Sequence, residues 1–232
     1  MLSEKLESGP KPGVIGQPAD AVEMSYLIPY NRSLPIFQKL TKLNTDSVSM
    51  LHPDVLSLMY HLAAHGSGPV LEIGPYVGGS TIAIGWGLQE RSTPGKVVSV
   101  ELGGRYDHPT AGTDDILRDL RRNIRSHGVS NQVDLVVGNS RDSKVVGRVR
   151  ELLGEQKVGM LCIDSDGNVQ ADYALYGELL APQAYLIIDD FFAPGAPFKV
   201  GPTREGIAAL ESRGLIRCLG IYGWGSWVGR LC

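Results

Sequence analysis

Acidic residues close a series of short apolar runs in this chain. Glu72 stands in Val70-Leu71-Glu72-Ile73-Gly74, and Glu101 ends Lys96-Val97-Val98-Ser99-Val100-Glu101. Asp164 ends Met160-Leu161-Cys162-Ile163-Asp164, and Tyr185-Leu186-Ile187-Ile188 runs into Asp189 and Asp190. Between them, Val133-Asp134-Leu135-Val136-Val137 is followed by the neutral polar pair Asn139 and Ser140. If the runs are strands of one parallel sheet, these side chains gather at the carboxyl ends, where such sheets bind ligands. A carboxylate after the second strand is placed to accept both hydroxyls of a ribose. The first run leads into a glycine turn, Glu72-Ile73-Gly74-Pro75-Tyr76-Val77-Gly78-Gly79-Ser80-Thr81. Its glycines leave room for a ligand against the backbone, and the N–H groups of the next helix start can face it. The spacing is neither G-x-G-x-x-G nor a P-loop, which disfavours a nicotinamide oxidoreductase and a nucleoside triphosphatase.

The intervening segments are those that would position such a cluster. Pro53 suits the first turn of a helix that Gly66 stops. Further helices are predicted over residues 78–88, 114–127, 142–153, 169–180 and 203–213. Apolar β-branched runs alternating with helices indicate a parallel sheet covered on both faces. Ile216 to Tyr222 and Ser226 to Leu231 are separated only by Gly223-Trp224-Gly225, which is hairpin spacing. The expected fold is therefore α/β, five parallel strands and an antiparallel hairpin. Residues 1–20 read as a tail, punctuated by Gly9-Pro10 and Pro12-Gly13, and residues 21–48 as a helical arm or a lid. A single domain is expected from residue 49 to residue 232.

Composition narrows the classes. The 232 residues include 22 Lys+Arg and 25 Asp+Glu, a net charge of −3, so no bulk basic field exists for nucleic acid. The basic face formed by Arg118, Arg121, Arg122 and Arg125 reads as a solvated helix face. No apolar run approaches the ~20 residues of a membrane span, and Glu4, Lys5 and Glu7 stand where a secretion signal would be basic and then apolar. Three widely spaced cysteines, Cys162, Cys218 and Cys232, suit neither a disulfide framework nor a structural zinc site. A cytoplasmic location with no membrane partner is expected.

Taken together, the motifs resemble the class I S-adenosylmethionine-dependent methyltransferases. The nearest variety is the metal-dependent small-molecule O-methyltransferases of the catechol, caffeoyl-CoA and antibiotic-sugar types. Val70 to Ser80 resembles their first motif, Val98-Ser99-Val100-Glu101 their ribose-binding strand, and Val136 to Asp142 their adenine-side loop. Ile163-Asp164-Ser165-Asp166 and Ile187-Ile188-Asp189-Asp190-Phe191 resemble their two metal-binding segments. The likeness spans roughly residues 50–231 and implies a Rossmann-like, doubly wound, mostly parallel seven-stranded sheet with a C-terminal antiparallel hairpin. It implies that Glu72, Gly74, Tyr76, Gly78 and Ser80 surround the methionine part of the cofactor, with Met50 and Asp164 beside it. Glu101 would hold the ribose, and Asn139 and Ser140 would edge the adenine. Asp164, Asp189 and Asp190 would ligate Mg²⁺, a metal suited to hard oxygen donors.

The resemblance does not supply a general base. The lysine that catechol-type enzymes carry three positions after the first metal aspartate is Gly167 here. Asp166 is the first candidate, and His108, in the polar insertion from Gly103 to Thr113, the second. The implied acceptor is a small hydroxylated molecule. Tyr26, Tyr30, Phe191, Phe192, Phe198 and Trp224 are candidates to rim its pocket, with Trp227 assigned to the core. A metal-independent methyltransferase and a cofactor-binding protein without turnover are the competing readings, and a homodimer is left open.

Overall fold

Two sets of apolar side chains alternate along the strands, and each set meets its own layer of helices. The computed structural model describes residues 21–93, 95–193 and 197–232; the expected tail, residues 1–20, lies outside them. Strands β1 (Val70–Ile73), β2 (Val97–Glu101), β3 (Val133–Val137), β4 (Val158–Ile163) and β5 (Leu180–Ile188) are parallel. The hairpin β6 (Ile216–Tyr222) and β7 (Ser226–Leu231) adds on antiparallel through β7. The order across the sheet is β3-β2-β1-β4-β5-β7-β6, the seven-stranded arrangement expected. Strand order reverses between β1 and β4, and the crevice above their carboxyl ends is the binding position of such sheets.

Helices α1 (Ala21–Ser33), α2 (Pro35–Thr45), α3 (Pro53–His65), α4 (Gly79–Gln89) and α5 (Ile116–Ser126) precede β3. Helices α6 (Ser143–Leu153), α7 (Val169–Tyr176) and α8 (Pro197–Ser212) follow it. Val70, Met160, Cys162 and Ile187 pack with Leu40, Leu58, Ile84 and Leu120 from α2 to α5. Their strand neighbours Leu71, Leu161, Ile163 and Ile188 pack with Val149, Tyr176 and Ile207 from α6 to α8. Side-chain caps start the helices that follow polar loops: Asp115 accepts the Arg118 N–H at 2.9 Å, and Asp142 that of Lys144 at 2.9 Å.

Two element boundaries differ from expectation. Helix α7 ends at Tyr176 instead of reaching Leu180, and a 3₁₀ turn, Gly177–Leu179, leads directly into β5. Leu180 pairs with Val158 and Tyr185 with Met160, so β5 bulges across Pro182 and Gln183, where a missing N–H costs no ladder bond. Helix α8 begins at Pro197, six residues before the expected Thr203, and runs through Pro202. That early start carries Lys199 into a helix.

Tyr26 and Tyr30 do not close over a pocket. Leu27 and Asn31, four residues apart, take the inward face of α1, and the Asn31 side-chain amide donates to the Ser57 carbonyl at 3.3 Å. Tyr26 and Tyr30 are thereby turned outward, 74% and 42% exposed, with Tyr30 edge-on to His61. Arg32 clasps Asp54 of α3 through Nε at 2.8 Å and Nη2 at 2.5 Å. Leu40 and Leu43 of α2 belong to the main core. Among the described residues, no helix is long and apolar enough to cross a membrane.

Candidate active site

The end of β1 is built around a buried acid. Glu72 Oε2 accepts hydrogen bonds from the hydroxyls of Thr81 and Ser99, each at 2.6 Å, while Oε1 is buried without a partner. Burial raises the Glu72 pKa, against the hydroxyls of Ser80, Ser99 and Thr81, which hold it down. The turn that follows needs its glycines. Gly74 has φ +82°, and a Cβ there would stand 1.9 Å from the Asp164 carbonyl oxygen, so the β1 and β4 loops touch backbone to backbone. Gly78, at φ +104°, starts α4, whose first turn no side chain caps.

Glu101, at the end of β2, is buried and faces the same turn. Its Oε2 accepts the Tyr76 N–H at 3.0 Å and its Oε1 the Gly103 N–H at 2.8 Å. Burial raises its pKa and these amides lower it. Each oxygen keeps a lone pair for a further donor. Tyr76 has φ +52°, a left-handed conformation uncommon for a residue with a side chain, secured by the bond to Glu101.

A cavity of about 310 Å³ lies between the β1, β2, β3 and β4 loops. Met50, Gly74, Tyr76, Glu101, Asn139, Ser140 and Asp164 line it, seven of the ten residues expected around a cofactor. Glu72 and Ser80 line a narrow adjoining cleft that shares Gly74 and Asp164 with the cavity. Gly78 lines neither. On the β3 side, the Ser140 hydroxyl donates to the fully buried Asp172 at 2.9 Å, and Asn139 Oδ1 accepts the Arg141 N–H at 2.9 Å.

The expected metal ligands meet. Asp164, Asp189 and Asp190 each offer a carboxylate oxygen, all within 4.8 Å of one another. Burial raises the pKa of Asp164 well above the usual carboxylate range, and the Asp189 charge adds to the effect. Burial also raises Asp189, opposed by the Ser226 hydroxyl, which donates to its Oδ1 at 2.5 Å. Lys199 joins them, its Nζ 3.0 Å from Asp190 Oδ2 and 3.8 Å from Asp164 Oδ1. Burial would lower the Lys199 pKa, but Asp164 and Asp190 outweigh it and leave it raised.

The two expected bases fare differently. Asp166 lines the cavity beside Arg141, and the two side chains form a close ion pair. Burial pushes its pKa up, but the bond to Arg141 prevails and leaves it below the usual value, which makes it a weak proton acceptor. His108 is not among the residues that line the cavity. Its Nδ1 accepts the backbone N–H groups of Thr110 at 3.3 Å and Ala111 at 3.1 Å, so the ring caps its own turn. Its neighbour Tyr106 reaches the cavity instead, edge-on to Tyr76 at 5.4 Å and stacked on His108 at 6.0 Å. None of Phe191, Phe192, Phe198 and Trp224 lines the cavity; Arg204 lies over the rings of Phe191 and Phe192 at 5.0 and 5.8 Å. Trp227 is core, as expected.

Lys199, Arg141 and Tyr106 escaped the sequence reading. For Lys199 a signal existed: it is the one basic residue between Asp190 and Arg204, in a segment otherwise apolar or small.

Comparison with known proteins agrees with this geometry. Residues 71–191, just over half of the chain and the span from Glu72 to Asp190, match a family model described as a methyltransferase domain. The chain belongs to this methyltransferase family, the one its motifs resemble. No curated protein matches it by sequence. Among solved structures, an O-methyltransferase from Bacillus cereus in complex with SAH is 16% identical, with a TM-score of 0.60, covering 90% of this chain and 99% of that one. TomG from Streptomyces achromogenes, an O-methyltransferase of tomaymycin synthesis in complex with SAM, is 16% identical with a TM-score of 0.61, covering 89% and 95%. An SAH-bound methyltransferase from Podospora anserina is 20% identical with a TM-score of 0.58, covering 94% and 89%. At these identities the likeness is one of fold.

Proposed function

We propose that the chain moves the methyl group of S-adenosylmethionine onto a hydroxyl oxygen of a small metabolite, with a divalent metal such as Mg²⁺ at Asp164, Asp189 and Asp190. The observation that carries this reading is the double position of Asp164. It lines the cavity that Glu101 and Asn139 enclose, and it belongs to the acidic cluster. A cofactor bound there would therefore present its reactive end to the cluster.

The residues suit both groups. The buried, unpartnered Glu72 Oε1 suits the ammonium of a methionine moiety, and Glu101 retains acceptor capacity for two ribose hydroxyls. The acidic cluster offers hard oxygen donors of the kind a divalent cation takes. Bound, the cofactor supplies an electrophilic methyl group and the metal supplies a positive charge that lowers the pKa of the acceptor hydroxyl.

The chain's own side chains do the rest. Ser80 and the uncapped start of α4 orient the methionine carboxylate. Asn139 and Ser140 edge the adenine, with Ser140 held by Asp172. Asp166, kept ionised by Arg141, accepts a hydrogen bond from the acceptor hydroxyl and aligns it; where a metal has lowered that hydroxyl's pKa, a weak acceptor suffices. The acidic balance of the chain favours a small acceptor over nucleic acid.

Calorimetric titration with S-adenosylhomocysteine, first with Mg²⁺ and then with EDTA, tests the reading. Binding under both conditions is expected, with a metal-dependent acceptor screen to follow. Failure to bind in either condition would refute the cofactor assignment.

A further inference from the structure

The acidic cluster already holds a cation supplied by the chain. Lys199, in the first turn of α8, sends its side chain back across the sheet end, and its Nζ meets both Asp190 Oδ2 and Asp164 Oδ1. Asp189, the third acid, is served by the Ser226 hydroxyl instead. The contacts thus divide the cluster between a charged and a neutral donor. A divalent ion binding here needs the same two oxygens at ~2.1 Å if it is Mg²⁺, or ~2.3–2.6 Å if it is Ca²⁺. An ammonium 3.0 Å from Asp190 Oδ2 would then lie against the metal or its water shell, two like charges sharing one ligand atom. Lysine can yield: its charge rides on a flexible four-carbon stem, unlike the planar fork of arginine. The place to which it would yield is also present, because Lys199 lines the same cavity as Arg141 and Asp166.

We propose that Lys199 is a tethered cation that occupies the acidic cluster in the metal-free protein and is displaced when a divalent ion binds, so that lysine and metal compete for Asp190 and Asp164. Lys199 is then a positioning residue. It keeps the crowded carboxylates of Asp164 and Asp190 together before the metal arrives, and it sets how tightly the metal is held. The inference rests on the metal reading above.

The test is calorimetric titration of Mn²⁺ into the full chain and into Lys199→Met, Lys199→Gln and Lys199→Arg, with S-adenosylhomocysteine binding measured on each as a check of the fold. Either neutral variant is expected to bind Mn²⁺ at least about tenfold more tightly than the parent, and Lys199→Arg is expected not to. Equal or weaker Mn²⁺ binding in folded Lys199→Met or Lys199→Gln overturns the competition while leaving the metal site standing. Mn²⁺ binding to none of the four proteins overturns the metal reading and the inference with it.

Discussion

The Glu101 carboxylate accepts the backbone N–H of Tyr76 at 3.0 Å, tying the end of β2 to the turn after β1. On the proposed reading, the acid at the ribose position would therefore also hold the turn at the methionine position. Tyr76 keeps its left-handed backbone, φ +52°, under that bond. Cofactor affinity and the shape of the glycine turn would then be coupled through one side chain.

Replacing Glu101 with Gln should therefore weaken the cofactor site more than the fold. Hydrogen bonds to a charged acceptor contribute about 1.5–3 kcal/mol, which corresponds to a loss of roughly ten- to 150-fold in affinity. Calorimetry with S-adenosylhomocysteine measures it, and an affinity equal to the parent's would remove Glu101 from the site.

Gly74→Ala should fail structurally. A Cβ at φ +82°, 1.9 Å from the Asp164 carbonyl oxygen, forces the β1 and β4 loops apart. A cost of roughly 2 kcal/mol or more is expected, lowering the thermal midpoint by about 4–8 °C in a chain of this size. Cofactor affinity should fall with it. Scanning calorimetry showing an unchanged midpoint would contradict the close approach.

Asp189→Asn keeps an oxygen for the Ser226 hydroxyl but removes a charge from the cluster. Mn²⁺ affinity should drop roughly tenfold or more while S-adenosylhomocysteine affinity stays the same. If Mn²⁺ binding is untouched, Asp189 is not a ligand.

Acid sensitivity is expected from a buried histidine of α3. His61 is buried between α1 and α3 with its Nε2 unpartnered, facing His65 and the ring of Tyr30. Burial, followed by the proximity of His65, lowers its pKa from 6.5 to about 4. The unfolded chain takes up this proton near pH 6.5 and the folded one only near pH 4, so stability is intact above pH 6.5 and falls as the pH drops toward 4. The loss is about 3 kcal/mol, levelling off below pH 4. The unfolding midpoint of the parent should fall relative to that of His61→Leu as the pH drops across this range; parallel curves would show that His61 is not the titrating group.

Much of the site could be read from the chain because a parallel sheet writes its topology into local pattern. Apolar runs such as Val97 to Val100 and Leu186 to Ile188 mark strands buried on both faces, and the residue that ends each run lies at the ligand-binding edge. The positions of Glu101, Asp164, Asp189 and Asp190 at that edge were legible for that reason, as was the hairpin from its three-residue spacer. What such a pattern does not encode is which side chains meet across loops that are far apart in sequence. Lys199 reaches Asp164 and Asp190, Arg141 engages Asp166, and His108 turns into its own loop because of contacts set by how α8, β3 and the 103–113 segment are laid over the sheet. Periodicity assigns a residue to a face; the partner, and with it the charge state and chemical role, comes from packing.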